Sequence, residues 1–521
     1  MPTESQVATR QVVSVNPATG ETLATLDCAT DAEVHAAVDA ARAAQPDWYA
    51  VGVKRRAEVL RRFQRLLHQR KSDVARLISR EVGKPCVEAM LTEVMVALDS
   101  AGFCIRNAPA LLRPERVPHA NLAMKTKSGR LLREPYGVVG IISPWNYPFS
   151  TPAPEVIAAL IMGNTVVLKP SEFTPLAALE LKSLLREAGV PEGAFQVIVG
   201  DGATGAALLA SAIDKLVFTG SVATGKRVAQ AAAARLLPVV LELGGKDPML
   251  VLDDADLDIA SSAAVWGAFV NAGQACLSVE RCYVHRSLYE PFLHACAEKT
   301  RRLRVGNGLD PDTDMGPLIH ERQLRIVEEH VADALARGAQ LLAGGERLRE
   351  KGPNFYAPTV LSGVTHEMRI MREETFGPVL PIAPFDSDEE AIRLANDSEF
   401  GLAASIWTRN RRRGQALAAR IQAGTVMVND AVTCFGISEA PHGGVKSSGI
   451  GRTHGRVGLE EMVWLKYVDS DLLPTMPKVW WYGYGAQFSR QMEGFVDALF
   501  ARGLAARLRG GLRSVGALFR K

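Results

Sequence analysis

Cys276, Glu242 and Asn146 are the side chains of this sequence whose type and setting suit covalent and acid–base chemistry. The segment NAGQACLSVE sets Cys276 among Ala272, Gly273 and Ala275, small residues that let another molecule reach its sulfur. A cysteine attacks as the thiolate, which needs surroundings that lower its pKa. Elsewhere it is a small buried hydrophobe, and the other six cysteines are read that way. The apolar run LPVVLELGGK delivers Glu242 into a loop at Gly244. Burial without a partner raises a carboxyl's pKa toward neutrality, which suits a general base; the competing reading is a Glu paired with a nearby Lys or Arg. In SPWNYPF, Asn146 follows the apolar run VVGII. Its amide is placed to donate to an oxyanion, as is the Cys276 backbone N–H, unless it serves only its own turn.

A second group suits a nucleotide. Lys169 and Glu172 follow VVLKPSE, and a carboxylate after the second strand of a dinucleotide fold accepts both hydroxyls of a ribose. A solvated charged turn is the plainer reading of the same residues. KLVFTGSVATGKRVAQ passes through Gly220 and Ser221 into a helical pattern, where free backbone N–H groups favour a phosphate. Its spacing is not GxGxxG, so by itself it is only a Gly-rich turn.

These residues need elements to hold them. Residues 30–112 repeat apolar side chains at three and four, the helical period. From about 131, short apolar runs bounded by turn residues alternate with helical stretches. The first set is YGVVGIISPW, NTVVLKPS, AFQVIVG, DKLVFTG and LPVVLELGG; the second is PMLVLDD, ERCYVHR, APTVLSG, VLPIAPF, AASIWT and GTVMVND. Such alternation builds parallel sheets covered on both faces, with ligands beyond the carboxyl ends of the strands. The expected fold is α/β with two open parallel-sheet lobes. A length of 521 residues suits two or three compact units, and 47% apolar residues supply their cores. A net charge of +3 gives no reason to expect nucleic acid. Seven cysteines, an odd number, fit a reducing compartment better than a disulfide framework. The opening MPTESQVATR lacks an apolar h-region and no run of 18 uncharged apolar residues occurs, so a cytoplasmic protein is expected.

The motifs SPWNYPF (143–149), KPSEFTP (169–175), FTGS (218–221), LELGGK (241–246), GQAC (273–276), EETFGPV (373–379) and PHGGVKSSGIGR (441–452) follow one another over most of the chain. In order and spacing this set closely resembles the aldehyde dehydrogenases. The resemblance implies a Rossmann-like NAD-binding lobe over 1–116 and 136–244, and a catalytic lobe over 245–461. It also implies a small bridging oligomerisation sheet from 117–135 and 462–471, leaving 472–521 as a tail. It makes Cys276 the nucleophile that carries a thiohemiacetal and then a thioester, Glu242 the base that activates water, and Asn146 the oxyanion donor. Lys169, Ser171 and Glu172 would lie at the adenosine ribose, and Gly220 and Ser221 near the pyrophosphate. Glu374 would bind the nicotinamide ribose beside Phe376, with Ser143 and Trp145 also on the cofactor side. No metal is expected. The presence of Glu242 favours hydrolysis over acyl transfer to coenzyme A, and Glu172 would repel a 2′-phosphate, favouring NAD over NADP. VWLKYVD (463–469) resembles a subunit-pairing strand, implying a homodimer or homotetramer.

The segment CLSVERCYVH resembles some succinate-semialdehyde members, which is the alternative substrate reading. Two arginines that often grip the carboxylate in that subfamily are replaced here by Pro154 and Val270, and a buried carboxylate without a cation is poorly tolerated. The expected tunnel residues Tyr147, Phe149, Thr151, Pro154, Leu277 and Phe435 suggest an apolar aldehyde, aliphatic (long chains included) or aromatic. His442 replaces a common Phe, and Arg456 stands in a stretch where many relatives carry a Glu. A catalytically silent scaffold of the same fold is the non-enzyme alternative, and the intact Cys276, Glu242 and Asn146 argue against it.

Residues 478–521 hold eight Lys or Arg against two acidic residues, behind the aromatic cluster Trp480, Trp481, Tyr482 and Tyr484. Met492, Phe495, Val496 and Leu499 form one apolar stripe, and Leu512, Val515 and Phe519 a second, with Gly510–Gly511 expected to separate them. Contact with an anionic membrane surface and packing on a partner subunit are both open for this tail.

Overall fold

The computed structural model describes residues 10–121, 124–476, 478 and 480–515. The opening nine residues and Phe519, used in the readings above, lie outside them. The helical period after residue 30 becomes the helices Asp31–Ala50, Gly52–Gln69, Lys71–Val82 and Met95–Leu111. The first is started by a capping box, in which the Thr30 hydroxyl accepts from Glu33 N–H and the Glu33 carboxylate accepts from Thr30 N–H at 2.8 Å. Gly83 ends the third with φ +92, at a point where a Cβ would collide with Pro317. A π-helical turn at Met90–Val94 leads into the fourth and buries Glu93 completely. Such turns break the regular ladder and often serve sites.

The alternating runs form two sheets. In the first, Val239–Glu242, Lys215–Thr219, Val138–Ile142, Thr165–Lys169 and Phe195–Val197 lie parallel in that order, and the short Gly449–Ile450 pairs antiparallel with Glu242 and Leu241 at one edge. The second runs Thr359–Ser362, Val379–Phe385, Val279–His285, Asp247–Val251, Ala403–Trp407 and Thr425–Val428, all parallel, with Gln340–Ala343 antiparallel on its edge. The fold is thus α/β with two open parallel-sheet lobes. Strands such as Thr165–Lys169 and Asp247–Val251 are buried along their whole length, as central strands covered on both faces must be. Lys169 and Glu242 are the last residues of their strands, so the sheet delivers both to its carboxyl edge.

By internal contacts the chain divides into two compact units. One joins the residues up to Leu111 with Glu134–Trp464 and holds both sheets; the other joins Leu112–Arg133 with the residues from Leu465. Val463–Asp471, Lys127–Pro135 and Glu115–Val117 make a small three-stranded antiparallel sheet. In the second unit the helices Ala486–Phe500 and Leu504–Ser514 form a hairpin. Gly510–Gly511 does not divide the apolar stripes as expected. It lies inside the second helix, where a Cβ on Gly510 would fall 2.6 Å from the Gly494 carbonyl oxygen, so the glycine permits close helix packing and the break comes at 501–503 instead. Leu504, Leu508 and Leu512 face outward along one side of that helix. Among the described residues no helix is long and apolar enough to cross a membrane.

Candidate active site

Cys276 follows a short turn, Val270–Gly273, in which Asn271 (φ 52), Ala272 (φ 56) and Gly273 (φ 72) are all left-handed. Such strain persists only where surrounding bonds hold it. Here Asn271 N–H donates to Glu88 at 2.9 Å, and the Asn271 amide donates to the carbonyls of Asn146 (3.0 Å) and Gln274 (3.1 Å). Gly245 has no room for a side chain, since a Cβ would sit 2.5 Å from the Cys276 carbonyl oxygen. The loop after Glu242 is thereby drawn against the cysteine loop.

Asn146 is buried, and its amide donates to the Gln274 carbonyl at 3.0 Å, which leaves its second N–H for another acceptor. Its carbonyl accepts from Lys84 Nζ at 2.8 Å. Lys84 is paired with Glu93 at 2.8 Å, both side chains fully buried, and its ammonium lies 3.7 Å from the Tyr147 ring centroid. The other Glu93 oxygen accepts from Phe149 and Ser150 N–H. The π-helical turn thus clamps the loop that carries Asn146.

Glu242 is buried with both carboxylate oxygens unpartnered. Burial first, then the nearby Glu155, push its pKa well up, against a smaller lowering by Arg452. The paired-Glu reading therefore does not hold; the nearest basic ring is His442, with Nε2 3.8 Å from Glu242 and its own pKa driven down to about 3 by burial. Glu374 accepts from Gly245 N–H at 3.1 Å and is raised to about 8, again by burial first. The surroundings of Cys276 do not lower its pKa: burial, then the carboxyls of Asp247, Glu374 and Glu242, push the thiol up.

A cavity of about 560 Å³ gathers these groups. Cys276, Glu242, Asn146, Trp145, Gly220, Ser221, Glu374 and Phe376 line it, as do Tyr147, Thr151, Leu277, Phe435 and His442. Phe376 meets Trp145 edge-on at 5.4 Å. Phe149 is wholly buried and does not line the cavity, and its N–H donates to Glu93. Pro154 likewise lines only a small cavity behind it. Ser143, Lys169, Ser171 and Glu172 stand at or just beyond the ends of Val138–Ile142 and Thr165–Lys169 rather than in the main cavity wall. There Lys169 and Ser171 each reach Glu172 at 3.4 Å. Arg456 is exposed and pairs with Glu460. Sequence reasoning missed Glu155, the lone charge in the buried helix Pro152–Met162, although a single Glu inside PAPEVIAALIM is itself a signal. It also missed Leu91, Met95 and Trp266, which line the cavity from helical stretches whose facing needed the fold.

The model of the aldehyde dehydrogenase family matches residues 3–468. The chain belongs to that family. A Mycolicibacterium smegmatis protein, provisionally named an NADP-dependent succinate-semialdehyde dehydrogenase, is 42% identical over 458 residues, 88% of this chain and 87% of that protein. The 4,4'-diapolycopene aldehyde oxidase of a Methylomonas species is 40% identical over 494 residues, covering 94% of this chain and 91% of that one. Among solved structures, the NAD+ complex of an aldehyde dehydrogenase from Bacillus cereus superposes with a TM-score of 0.85 at 37% identity, over 89% of this chain and 94% of that one. Aldehyde dehydrogenases use NAD or NADP. A dinucleotide fits what the first sheet offers: the Ser143 and Thr219 hydroxyls, at the carboxyl ends of adjacent strands, are buried without a partner. Ser221 also caps the helix Val222–Ala233, whose first N–H groups favour a phosphate.

Proposed function

We propose that this aldehyde dehydrogenase oxidises apolar aldehydes to carboxylic acids with NAD, through a thioester on Cys276 that water hydrolyses. The observation that carries the substrate class is the cavity wall, which among the described residues includes no Lys or Arg and whose carboxyl groups are those of Glu155, Glu242 and Glu374. A substrate carboxylate would meet no cation there, at a cost that burial magnifies. Leu91, Met95 and Trp266 line the cavity and are also 44–52% exposed, so the apolar surface continues outward to receive a long chain. The name of the Methylomonas relative supports a long apolar aldehyde. The name of the Mycolicibacterium smegmatis relative favours succinate semialdehyde, the second reading, which needs a cation these residues do not supply.

Because its surroundings hold the Cys276 thiol neutral, attack requires that the thiol first give its proton to water in the cavity. The Cys276 sulfur bonds to the aldehyde carbon, and the oxyanion takes hydrogen bonds from the free Asn146 N–H and the Cys276 backbone N–H. Loss of one such donor lowers turnover on the order of a hundredfold or more. Lys169, Ser171 and Glu172 hold the adenosine ribose, and Gly220 and Ser221 the phosphates. Ser143, Trp145, Glu374 and Phe376 hold the nicotinamide side. NAD bound there supplies the hydride acceptor. Glu242 then takes a proton from the water that attacks the thioester, and the Cys276 thiolate leaves. The Glu172 carboxylate, beyond its strand, favours a free 2′-hydroxyl over a 2′-phosphate.

The antiparallel sheet with Val463–Asp471 at its edge supports subunit pairing into a homodimer or homotetramer, and unpaired cysteines support a cytoplasmic setting. The outward leucines of Leu504–Ser514, flanked by Arg507, Arg509 and Arg513, support peripheral contact with an anionic membrane. The deciding experiment is NADH formation with succinate semialdehyde, benzaldehyde, hexanal and dodecanal. Highest kcat/KM on the apolar aldehydes supports the reading, and highest kcat/KM on succinate semialdehyde refutes it.

A further inference from the structure

Around Glu242 lies a cluster of buried polar atoms that the steps above do not use. Both Glu242 oxygens, Glu155 Oε2, His442 Nδ1, Ser438 Oγ and both ring nitrogens of His454 are buried without a hydrogen-bond partner. Buried polar groups are almost always satisfied, so this many orphans in one place marks sites for ordered water. The backbone supports the grouping. His442 and Thr453 exchange two N–H···O bonds of 2.8 Å, which sets His454 beside His442 with ring centroids 6.0 Å apart. Phe435 stands edge-on to both rings, at 5.0 and 4.5 Å, and closes that side with apolar surface. Gly443 lets the strand approach, since a Cβ there would fall 2.7 Å from Glu242 Oε1. A second cavity of about 20 Å³, room for one water, is lined by Glu155, Thr453, Ser438 and His454. Glu155 and Thr453 line both this cavity and the large one, so they form the wall between them.

Resting on the hydrolytic reading above, we propose that the proton Glu242 takes from the attacking water leaves inward, through His442 and ordered water, to the carboxylate of Glu155. The transfer balances without an added reagent. The Glu242 acid gives its proton to His442 Nε2 while the Nδ1 proton passes to a bridging water and on to Glu155. His442 is left neutral as its other tautomer, which exchanges back through water of the cavity before the next turnover, and Glu242 is again a carboxylate. This exchange never requires a lasting imidazolium, in keeping with the low pKa that burial, then His454 and Arg452, give His442. Glu155 is raised to about 8 by burial, so near that pH its carboxylate is a fit acceptor and its acid a fit donor to water of the small cavity. The charged and titratable groups acting on this centre are Arg452, Glu461, Cys276 and His454, and none is a cation bonded to Glu155 or Glu242.

The test uses the full chain with hexanal and NAD in stopped flow, comparing wild type with Glu155→Gln, Glu155→Asp and His442→Gln. The expected result is an undiminished burst of NADH in every variant. Steady turnover should fall at least tenfold in Glu155→Gln and His442→Gln, with partial recovery in Glu155→Asp. The wild-type rate should show a titration near pH 8 that Glu155→Gln lacks. Infrared difference spectra of wild type minus Glu155→Gln, without substrate, should show a buried carboxylic-acid band that titrates in the same range, separate from the Glu374 band common to both proteins. The relay is refuted if Glu155→Gln and His442→Gln keep the wild-type steady rate and pH profile. It is equally refuted if burst and steady rate fall together, which marks a structural role, or if the difference spectra show no such band. No burst in the wild type with any aldehyde refutes the dehydrogenase reading and the relay with it.

Discussion

Replacing Lys84 by Met should damage both stability and turnover, although Lys84 does not itself line the substrate cavity. Its ammonium is fully buried and bonds Glu93 and the Asn146 carbonyl, both at 2.8 Å. Met matches its length and removes the charge, leaving the Glu93 carboxylate buried with only the Phe149 and Ser150 N–H groups. Breaking a buried pair from one side costs roughly 3–5 kcal/mol. At about 2–4 °C per kcal/mol for a lobe of 150–250 residues, the thermal midpoint should fall roughly 6–20 °C. The loop also loses the bond that fixes the Asn146 backbone, so kcat/KM should drop at temperatures where the variant is fully folded. Removing both charges relieves the stranded carboxylate, so Lys84→Met/Glu93→Gln should recover at least half of the lost midpoint. Thermal unfolding followed by circular dichroism measures all three proteins. A Lys84→Met midpoint within about 2 °C of wild type, on the same scale, or a double variant less stable than the single one, refutes the clamp.

Glu155 also predicts a pH dependence. Its carboxyl ordinarily titrates at 4.5 and is raised to about 8 in the fold, so between those values the folded state holds the extra proton and stability falls as pH rises. Glu155→Gln should match wild type near pH 5 and exceed it at pH 9, by on the order of a few kcal/mol; an equal difference in thermal midpoint at both pH values sinks this. Val270→Arg places a cation in the cavity wall, and a charge-assisted bond of about 1.5–3 kcal/mol should raise kcat/KM for succinate semialdehyde relative to hexanal roughly ten- to a hundredfold. An unchanged ratio would count against the reading of that wall. Deleting the residues after Asp471 should abolish sedimentation with anionic liposomes, and persistence of sedimentation would remove the hairpin from the membrane contact.

Much of the fold was legible because each strand of the two parallel sheets is a bounded apolar run, and burial on both faces leaves little else possible. The antiparallel edge strand Gln340–Ala343 escaped notice because it is half exposed and carries no such run. The helical hairpin at the end was legible as helix, but its break was misplaced. Gly510 reads as a helix breaker, and only the facing Gly494 reveals it as a packing contact. In the site, Glu242 and Asn146 were found because they stand at or just after strand ends, and Cys276 because small residues surround it. Lys84, Glu93 and Glu155 were not, since what matters in each is a partner distant in sequence or the lack of one. Phe149 and Pro154 were assigned to the tunnel from the family resemblance, and the fold buries the first in the core and sets the second at the small cavity. The Cys276 thiol shows the limit most clearly: small neighbours predict access, but the carboxyls that raise its pKa come from Asp247, Glu242 and Glu374, on three other segments.

The most direct measurement is rapid mixing of Glu242→Gln with hexanal and NAD, following NADH by absorbance and the quenched protein by intact mass. If Cys276 carries a thioester that Glu242 hydrolyses, NADH should form and then stall within one equivalent per subunit, and a hexanoyl adduct should map to Cys276. Turnover at the wild-type rate, or NADH formed with Cys276 unmodified, would contradict it.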